Sequence, residues 1–430
     1  MTRSAEAALL LTASVVAAFG TALIGFTRGV GLDAQVALTF IVFASSFGSV
    51  HLALRRWAPS ANPYLFPLAS LLTAIGMTEV YRINPSLGSV QRWSLLLAGL
   101  AASFVLFLLR GDGVVALRRY RFLFLTAGVA LLLLPLLPDA WPIHGIEANG
   151  SRLWVGLDIP GGREISFQPG ELAKIALAVF LASYLADHHL AMGTTRRKLG
   201  RMDLPPLSQF GPIFIAAGAA FAVLVYQRDL GASLLVFALF VGAIYLATGK
   251  LAYLAAGGAL VAVGGLASYQ LFDHVQRRVS AWLDPFADFS DTGYQVAQGL
   301  FALGSGSLTG SGVGLGRPDL IPAAATDFIF AAVAEEMGLA GAVAVIAAYA
   351  LLVAAGFGIA LHTRDLFRKF LAASLTLVFA VQSLLIMAGV LRLFPITGIT
   401  LPFMSYGGTS LLANMILLAL LARISHGARS

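Results

Sequence analysis

The sequence contains no cysteine and few charged residues. Without cysteine among its 430 residues, the chain has neither disulfides nor thiolate metal sites. Asp, Glu, Lys and Arg make up only 11% of the sequence, against about 25% in an average soluble domain. Hydrophobic residues make up 58%, and the mean hydropathy is +0.85. This composition predicts a protein whose solvent is a membrane.

The apolar residues form continuous runs of the length that crosses a bilayer as a helix, about twenty residues. A β-barrel would show alternating segments of about ten residues instead. We therefore predict an all-α polytopic membrane protein with about twelve transmembrane helices, the tenth tilted or bent at Gly338. The predicted spans are 7–27, 35–54, 64–81, 92–109, 121–138, 171–189, 209–226, 230–248, 251–271, 327–357, 370–392 and 404–422.

The net charge of +7 is explained by basic residues that are retained on the cytoplasmic side of the membrane and set the orientation of the chain. If the N-terminus is cytoplasmic, every inside segment contains at least one basic residue, as the positive-inside rule requires. We therefore predict that both termini are cytoplasmic, and we predict no nucleic-acid partner. The first apolar run is too long for a signal-peptide core and no clear cleavage site follows it, which indicates a retained helix.

Two predicted outside segments, 139–170 and 272–326, are longer than ordinary connections and are therefore candidates for function. The second is rich in glycine but also contains aromatic and apolar residues. This mixture predicts a packed, partly re-entrant extracellular loop. The sequence shows no internal repeat, which is weak evidence against a transporter.

Ionisable residues at membrane depth are costly and are therefore candidate functional residues. Glu171 lies in the first turn of a predicted helix, where the helix dipole favours a carboxylate, and Lys174 is on the same face three residues later. The two form either a structural ion pair or the wall of a polar cavity. Asp229 follows a tight turn and is either a helix cap paired with Arg228 or a site residue.

Asp327 is predicted to begin the tenth span, with Glu335 and Glu336 in the same helix. At 100° and 1.5 Å per residue, Asp327 and Glu335 would lie within about 80° of each other and about 12 Å apart in depth. Helix capping would explain Asp327 alone but not further carboxylates in an apolar span. We therefore favour a catalytic or substrate-binding role for Asp327.

Other segments near the outer face are unusual for lipid-exposed chain. Residues 395–410, which include Ser405 and Tyr406, are rich in Pro, Gly and hydroxyls, and such a segment is tolerated where it lines a hydrated cavity or packs inside protein. Trp154 taken alone is typical of an interfacial anchor. Together these features predict an outward-opening cavity. The sequence has no P-loop, no Gly-x-Ser-x-Gly elbow and no metal-ligand spacing.

Six motifs in this order closely resemble those of the SEDS family (shape, elongation, division and sporulation), which includes RodA, FtsW and SpoVE. Any one of them is weak, but all six in sequence on one predicted membrane side form a specific pattern. They are Gly150-Ser151-x-x-Trp154, Phe167-Gln168-Pro169-x-Glu171-x-x-Lys174, Gln227-x-Asp229-Leu230-Gly231, Gly293-Tyr294-Gln295-Val296-Ala297-Gln298, Thr326-Asp327-Phe328-Ile329-Phe330 through Ala334-Glu335-Glu336-x-Gly338-Leu339, and Leu401-Pro402-Phe403-Met404-Ser405-Tyr406-Gly407-Gly408.

The resemblance implies a ten-helix core, here 63–430, preceded by a two-helix extension, 1–62. That extension is similar to RodA-type members of high-GC Gram-positive bacteria and favours the elongation type over the division type. The implied activity is a peptidoglycan glycosyltransferase of the bacterial cytoplasmic membrane that polymerises lipid II into β-1,4 glycan. The implied protein partner is a single-span class B penicillin-binding protein.

The resemblance also implies roles for individual residues. The family's essential acid corresponds to Asp327, its helix-start salt bridge to Glu171 and Lys174, and its loop tryptophan to Trp154. The sequence departs from the family at three positions, with Leu153 where Arg is frequent, Gly170 where Ser is usual and Arg228 where Pro is usual. The first departure leaves the local role of Arg152 open.

As a mechanism, we predict that Asp327 accepts the proton of the acceptor hydroxyl as general base, a role that supplies about 10²–10⁴-fold in rate. Cations would stabilise the diphosphate leaving group, with or without Mg²⁺ or Mn²⁺. The candidate cations are Lys174, Arg152, Arg277 and Arg278. The other predicted substrate-binding residues are Trp154, Glu171, Asp229, Gln295, Glu335, Ser405 and Tyr406.

Three alternatives remain open at this stage. A flippase for lipid II or another lipid-linked sugar would also need a polar cavity, but it would move nothing in the absence of a bilayer. A non-catalytic scaffold would only recruit the penicillin-binding protein. The chain could also be the division-type member of the same family.

Overall fold

The structure is a computed structural model that describes residues 2–148, 151–159, 163–194, 197–199, 202–204, 211–290 and 293–429. Helices dominate it. In chain order they are α1 Arg3–Thr27, α2 Ala34–Trp57, α3 Leu65–Ile83, α4 Pro85–Leu108, α5 Gly113–Arg119, α6 Arg121–Leu133, α7 Pro169–Thr194, α8 Gly211–Tyr226, α9 Leu230–Thr248, α10 Leu251–Leu271, α11 Asp273–Leu283, α12 Tyr294–Gly306, α13 Ile329–His362, α14 Leu366–Val390 and α15 Gly408–Arg429. Short 3-10 helices cover Leu134–Leu136 and Pro318–Leu320.

The helices confirm a multi-pass helical membrane protein. Within the described ranges, nine helices are long and apolar enough to cross a bilayer, or ten if the bent pair of α5 with 121–136 counts as one span. Helix α8 has only 16 residues, and α3, which carries Glu79 and Arg82, is not among the nine. Each of the twelve predicted spans coincides with a helix, although residues 209–210 of the seventh lie outside the described residues. The count of twelve spans is not confirmed.

The all-α prediction missed five short strands. β1 Ile143–Ala148, β2 Ser151–Ile159 and β3 Arg163–Phe167 form an antiparallel sheet in that order, and β4 Arg197–Leu199 pairs with β5 Met202–Leu204. The sheet occupies the long segment 139–170. The signal was present in the sequence, because apolar residues alternate along β2 with the period of two expected of a strand.

The chain divides into two compact units. Unit 1 comprises 1–108, 262–355 and 382–422, and unit 2 comprises 109–261, 356–381 and 423–430. In unit 1, α1 packs against α2 and α3, and α2 packs against α4. Gly20 permits the close approach of α1 and α3, because a Cβ there would lie 2.5 Å from Thr78 Oγ1. The division into 1–62 and 63–430 stays a prediction.

In unit 2, helix α7 is central and contacts α5, α6, α9 and strand β2. In the most apolar stretch of α7, which is 18 residues long, 89% of the residues are buried. Gly128 lets α6 approach α7 closely, since a Cβ there would lie 3.2 Å from Leu177. Strand β3 is joined to α7 by Gln168 alone, so the sheet directly precedes the helix that carries Glu171 and Lys174.

The described part of 272–326 is packed, as predicted. It contains α11, α12 and a 3-10 helix, joined to a glycine-rich loop that we define as residues 307–317. The predicted break in the tenth span is confirmed, because Gly338 has non-helical angles of φ 66° and ψ −169° inside α13. The membrane side on which 272–326 lies stays a prediction.

Candidate functional site

Asp327 lies in a turn that precedes α13, and not in the helix itself. The helix begins at Ile329, and the half-buried Asp327 is in the non-helical residues before it. The predicted helical relation between Asp327 and Glu335 is therefore wrong. A turn can place a carboxylate where a continuous helix cannot, because its residues are not tied to the helical period of 100°.

The turn is fixed on one side by the segment 401–406. Ser405 Oγ donates to the carbonyl of Thr326 at 2.6 Å and accepts from the N–H of Leu401 at 2.8 Å. The N–H of Tyr406 donates to the carbonyl of Ala325 at 2.7 Å. The predicted site residues Ser405 and Tyr406 thus hold the backbone immediately before Asp327.

Helix α12 holds the turn from another side. Gln295 Nε2 donates to the carbonyl of Pro322 at 2.9 Å. Gly299 leaves room for the ring of Phe328, since a Cβ there would lie 2.6 Å from Phe328 Cε1. The residue after Asp327 is therefore packed against α12, which limits the movement of the turn.

Arg278 on α11 brings a cation to the same place. Its Nη1 donates to the carbonyls of Ile396 at 3.1 Å and Thr397 at 3.0 Å. A Cβ on the next residue, Gly398, would lie 3.4 Å from Arg278 Nη2 and 3.8 Å from Asp327 Oδ2. The guanidinium and the carboxylate therefore both lie beside one exposed glycine whose φ is +75°.

Two further contacts fix α11 to the segment that contains Gly398. Trp282 Nε1 donates to the carbonyl of Arg392 at 3.0 Å, and Arg392 Nε donates to the carbonyl of Trp282 at 2.7 Å. Arg277, next to Arg278, is exposed. Three predicted residues, Asp327, Arg277 and Arg278, thus lie on elements that hydrogen bonds join within unit 1.

Glu335 is engaged with the glycine-rich loop. Its Oε1 accepts from the N–H of Arg317 at 2.9 Å, and its carbonyl accepts from the N–H of Ser311 at 2.9 Å. Glu336 Oε2 accepts from the N–H of Gly314 at 2.7 Å. Because these acidic side chains satisfy backbone donors of the loop, the geometry gives Glu335 a structural role, and its predicted role in substrate binding stays a prediction.

In unit 2, Glu171 and Lys174 form the predicted pair. Lys174 Nζ lies 2.7 Å from Glu171 Oε2, and the two residues are 3% and 8% exposed respectively. Asp229 is buried and caps α9, with Oδ1 accepting from the N–H of Ala232 at 2.8 Å. The ion pair and the helix cap are present as predicted, whereas the pairing of Asp229 with Arg228 and the roles in substrate binding stay predictions.

Trp154 and Arg152 lie on β2. Trp154 is paired in the sheet with Ile146, and Arg152 lies 3.5 Å from Asp139 and 3.7 Å from Glu147. Strand β2 contacts α7, so both residues belong to the same unit as Lys174. Asn149 and Gly150, at the start of this motif, lie outside the described residues.

Within the described ranges no three His, Asp or Glu side chains are grouped so that they could hold a metal ion. The guanidinium of Arg278 lies near Asp327. A divalent cation, Mg²⁺ or Mn²⁺, stays a prediction.

Sequence reasoning missed Arg82 and Gly398. Arg82 lies near the end of α3 and donates to Glu336 Oε1 at 3.2 Å and to the carbonyl of Gly316 at 2.8 Å. The sequence did hold a signal for it, an arginine beside Glu79 in an otherwise apolar span. Nothing in the sequence places Gly398 between Arg278 and Asp327, because that juxtaposition is tertiary.

We expect Ser405→Ala to lower both stability and activity, because it leaves the N–H of Leu401 and the carbonyl of Thr326 without their shared partner. The loss of a buried hydrogen bond costs about 1–3 kcal/mol. Thermal unfolding in detergent measures this cost. Ser305→Ala is the control, since the Ser305 hydroxyl only bonds back to Ala302 of its own helix; equal effects of the two substitutions would contradict the prediction.

The long apolar helices define an integral membrane protein, and Asp327 lies in the turn immediately before one of them. The family model described as cell cycle protein, which covers FtsW, RodA and SpoVE, matches residues 61–430. The chain belongs to this family, the SEDS family.

Similar proteins agree with this assignment. The chain is 40% identical over 439 residues to the "Peptidoglycan glycosyltransferase RodA" of Mycobacterium tuberculosis strain H37Rv, with 99% of this chain and 91% of that one covered. It is 38% identical to the protein of the same name from Mycobacterium leprae, with the same coverage. A solved structure entitled "Structural coordination of polymerization and crosslinking by a peptidoglycan synthase complex" aligns with a TM-score of 0.67 and 25% identity, over 86% of this chain and 98% of that chain.

Proposed function

We propose that this chain is a RodA-type peptidoglycan glycosyltransferase that polymerises lipid II into β-1,4 glycan strands during cell elongation. The observation that carries the proposal is that Asp327 Oδ2 and Arg278 Nη2 both lie within 4 Å of the position that a Cβ of Gly398 would occupy. The names of the mycobacterial relatives, which match along nearly their full length, support the same activity.

In the proposed reaction, the acceptor sugar hydroxyl attacks the donor carbon that carries the lipid diphosphate. The bond from that carbon to the diphosphate oxygen breaks as the new glycosidic bond forms. Asp327 takes up the hydroxyl proton, which then passes to solvent. Because the donor linkage is α and the product is β, one inverting displacement is sufficient.

Arg278 supports this chemistry electrostatically. Its guanidinium places a fixed positive charge close to Asp327. The two carbonyls that Arg278 binds hold it in place, so it need not reorganise when charge develops in the transition state. The exposed Arg277 is then available to the diphosphate leaving group.

A second set of predicted substrate-binding groups lies within unit 2. Lys174, Arg152 and Trp154 lie on neighbouring elements and are proposed to contact the diphosphate and a sugar ring. A divalent cation, Mg²⁺ or Mn²⁺, would enter with the diphosphate of the substrate. There it would neutralise charge on the leaving group, while Asp327 acts as base without it.

The solved structure with the TM-score of 0.67 comes from a peptidoglycan synthase complex. We propose that the partner of this chain is a class B penicillin-binding protein that crosslinks the new glycan. We also propose that both termini are cytoplasmic in the bacterial inner membrane, so that Asp327 is on the outer side, where the glycan is made.

We expect the purified wild-type chain in detergent to convert lipid II into glycan, because polymerisation needs no second compartment. Gel separation of fluorescent lipid II products measures this, with a catalytically inactivated penicillin-binding partner added to a parallel reaction. Digestion of the product by a muramidase is the control for its β-1,4 linkage. Absence of polymer, with lipid II movement only in sealed vesicles, would favour the flippase over the polymerase.

A further inference from the structure

The glycine-rich loop 307–317 needs partners for its backbone. It has no regular structure apart from its turns, and unpaired buried backbone groups are costly. Gly314 and Gly316 are buried, and both have a backbone group bound by a side chain from a helix. The loop leads through the 3-10 helix Pro318–Leu320 into the turn that carries Asp327.

A single ion pair binds this loop twice. Arg82 Nε lies 3.2 Å from Glu336 Oε1, with Glu336 fully buried and Arg82 16% exposed. Arg82 Nη2 donates to the carbonyl of Gly316 at 2.8 Å, and Glu336 Oε2 accepts from the N–H of Gly314 at 2.7 Å. The pair therefore binds two backbone groups of the loop, the carbonyl of Gly316 and the N–H of Gly314.

The geometry of these bonds depends on an arginine. The guanidinium presents N–H groups in a fixed planar fork and can bind two acceptors at once, whereas the ammonium of lysine is a point charge. Arg82 uses different nitrogens for the carboxylate and for the carbonyl. A lysine would keep the charge but would lose the fixed geometry that links α3, the loop and α13.

Residues where α1 ends, Thr27 and Arg28, contact both Arg82 and the loop. Arg28 Nη2 donates to the carbonyl of Arg82 at 2.6 Å, and its guanidinium lies 5.7 Å from the centre of the Tyr81 ring. Thr27 contacts the loop itself, since a Cβ at Gly314 would lie 2.8 Å from Thr27 Oγ1. The end of α1 thus lies against the loop that leads to Asp327.

We propose that Arg82 is a positioning residue that, supported by the α1–α2 turn, holds the glycine-rich loop and through it the Asp327 turn. This inference rests on the proposed function for its effect on catalysis. The order of the loop itself can be measured without any substrate. It also gives the end of α1 and the residue that follows it a role in ordering the loop.

The test compares Arg82→Gln with Arg92→Gln in the purified full-length chain. Arg92 is also a buried arginine of unit 1, but it binds Gln35 and Thr39 between α4 and α2. Hydrogen exchange of peptides covering 307–317 is measured together with kcat and KM for lipid II. For Arg82→Gln we expect exchange in 307–317 to rise at least tenfold and kcat to fall about tenfold with KM nearly unchanged, because misplaced catalytic groups lose rate. For Arg92→Gln we expect neither change.

Arg82→Lys covers the case in which Arg82→Gln does not fold. It keeps the charge beside Glu336, so we expect it to fold and to show the same rise in loop exchange to a smaller extent. Unchanged exchange in 307–317 for both Arg82 variants, or equal loss of kcat in Arg92→Gln, would overturn the inference. If the wild type makes no glycan, the proposed function fails, and the exchange result still decides whether Arg82 orders the loop.

Discussion

Asp327→Asn is expected to lower the rate of glycan synthesis by at least about 100-fold, as expected for removal of a general base. Asparagine has nearly the same shape and can still accept hydrogen bonds, but it cannot take the proton of an acceptor hydroxyl. The turn should remain folded, because Ser405, Tyr406 and Gln295 bind backbone carbonyls just before residue 327. Initial rates with fluorescent lipid II measure the loss.

The matched control is Asp319→Asn, eight residues earlier in the same connection. Asp319 is exposed, and its hydrogen bond from Arg317 lowers the pKa of its carboxyl group. It is therefore ionised but weakly basic, and we expect its substitution to change the rate less than about twofold. Polymer made by Asp327→Asn at near the wild-type rate, with Asp319→Asn equally active, would contradict the role of Asp327.

Gly338→Ala is expected to destabilise the protein by at least about 3 kcal/mol, because two penalties combine. The backbone at φ 66° and ψ −169° lies in a region that is essentially restricted to glycine. A Cβ there would also lie 2.3 Å from the N atom of Gly310 and 2.6 Å from the carbonyl oxygen of Leu308. Neither contact can be relieved by rotating a side chain, since both atoms are backbone.

Thermal unfolding in detergent measures the effect of Gly338→Ala, and hydrogen exchange shows where order is lost. We expect loss of protection first in 307–317, since Leu339 and Ala340 donate to the carbonyls of Ser307 and Leu308 at 3.0 and 3.2 Å. Gly304→Ala is the control, because Gly304 is helical and a Cβ there would meet nothing within 4 Å. A Gly338→Ala protein as stable as Gly304→Ala would show that the break in α13 does not require glycine.

The helices were predictable because continuous apolar runs of bilayer length have few other solutions. The break in α13 was also predictable, since a glycine inside such a run is the weakest point of its backbone. The sheet β1–β3 was missed although β2 alternates, because the apolar runs on both sides dominate the composition. The local sequence pattern was therefore sufficient to predict the helices, whose backbone hydrogen bonds form within a single element.

The candidate site was only partly accessible from the sequence. Asp327, Glu171 and Lys174 were identified because charge at membrane depth is rare, and the Glu171–Lys174 pair follows from helical spacing. The proximity of Arg278 to Asp327 joins residues almost fifty positions apart through a third segment at Gly398, which no local pattern encodes. For Arg82 the sequence held a signal, an arginine in an apolar span, but its partners are more than two hundred residues away and could not be inferred.

The direct junction of β3 and α7 has a mechanical consequence. Only Gln168 lies between the last strand and the first turn of α7. The connection between the sheet and the buried Glu171–Lys174 pair is therefore too short to contain a flexible linker. A molecule bound to the sheet would therefore be separated from the helix end with that charged pair by one connecting residue along the chain.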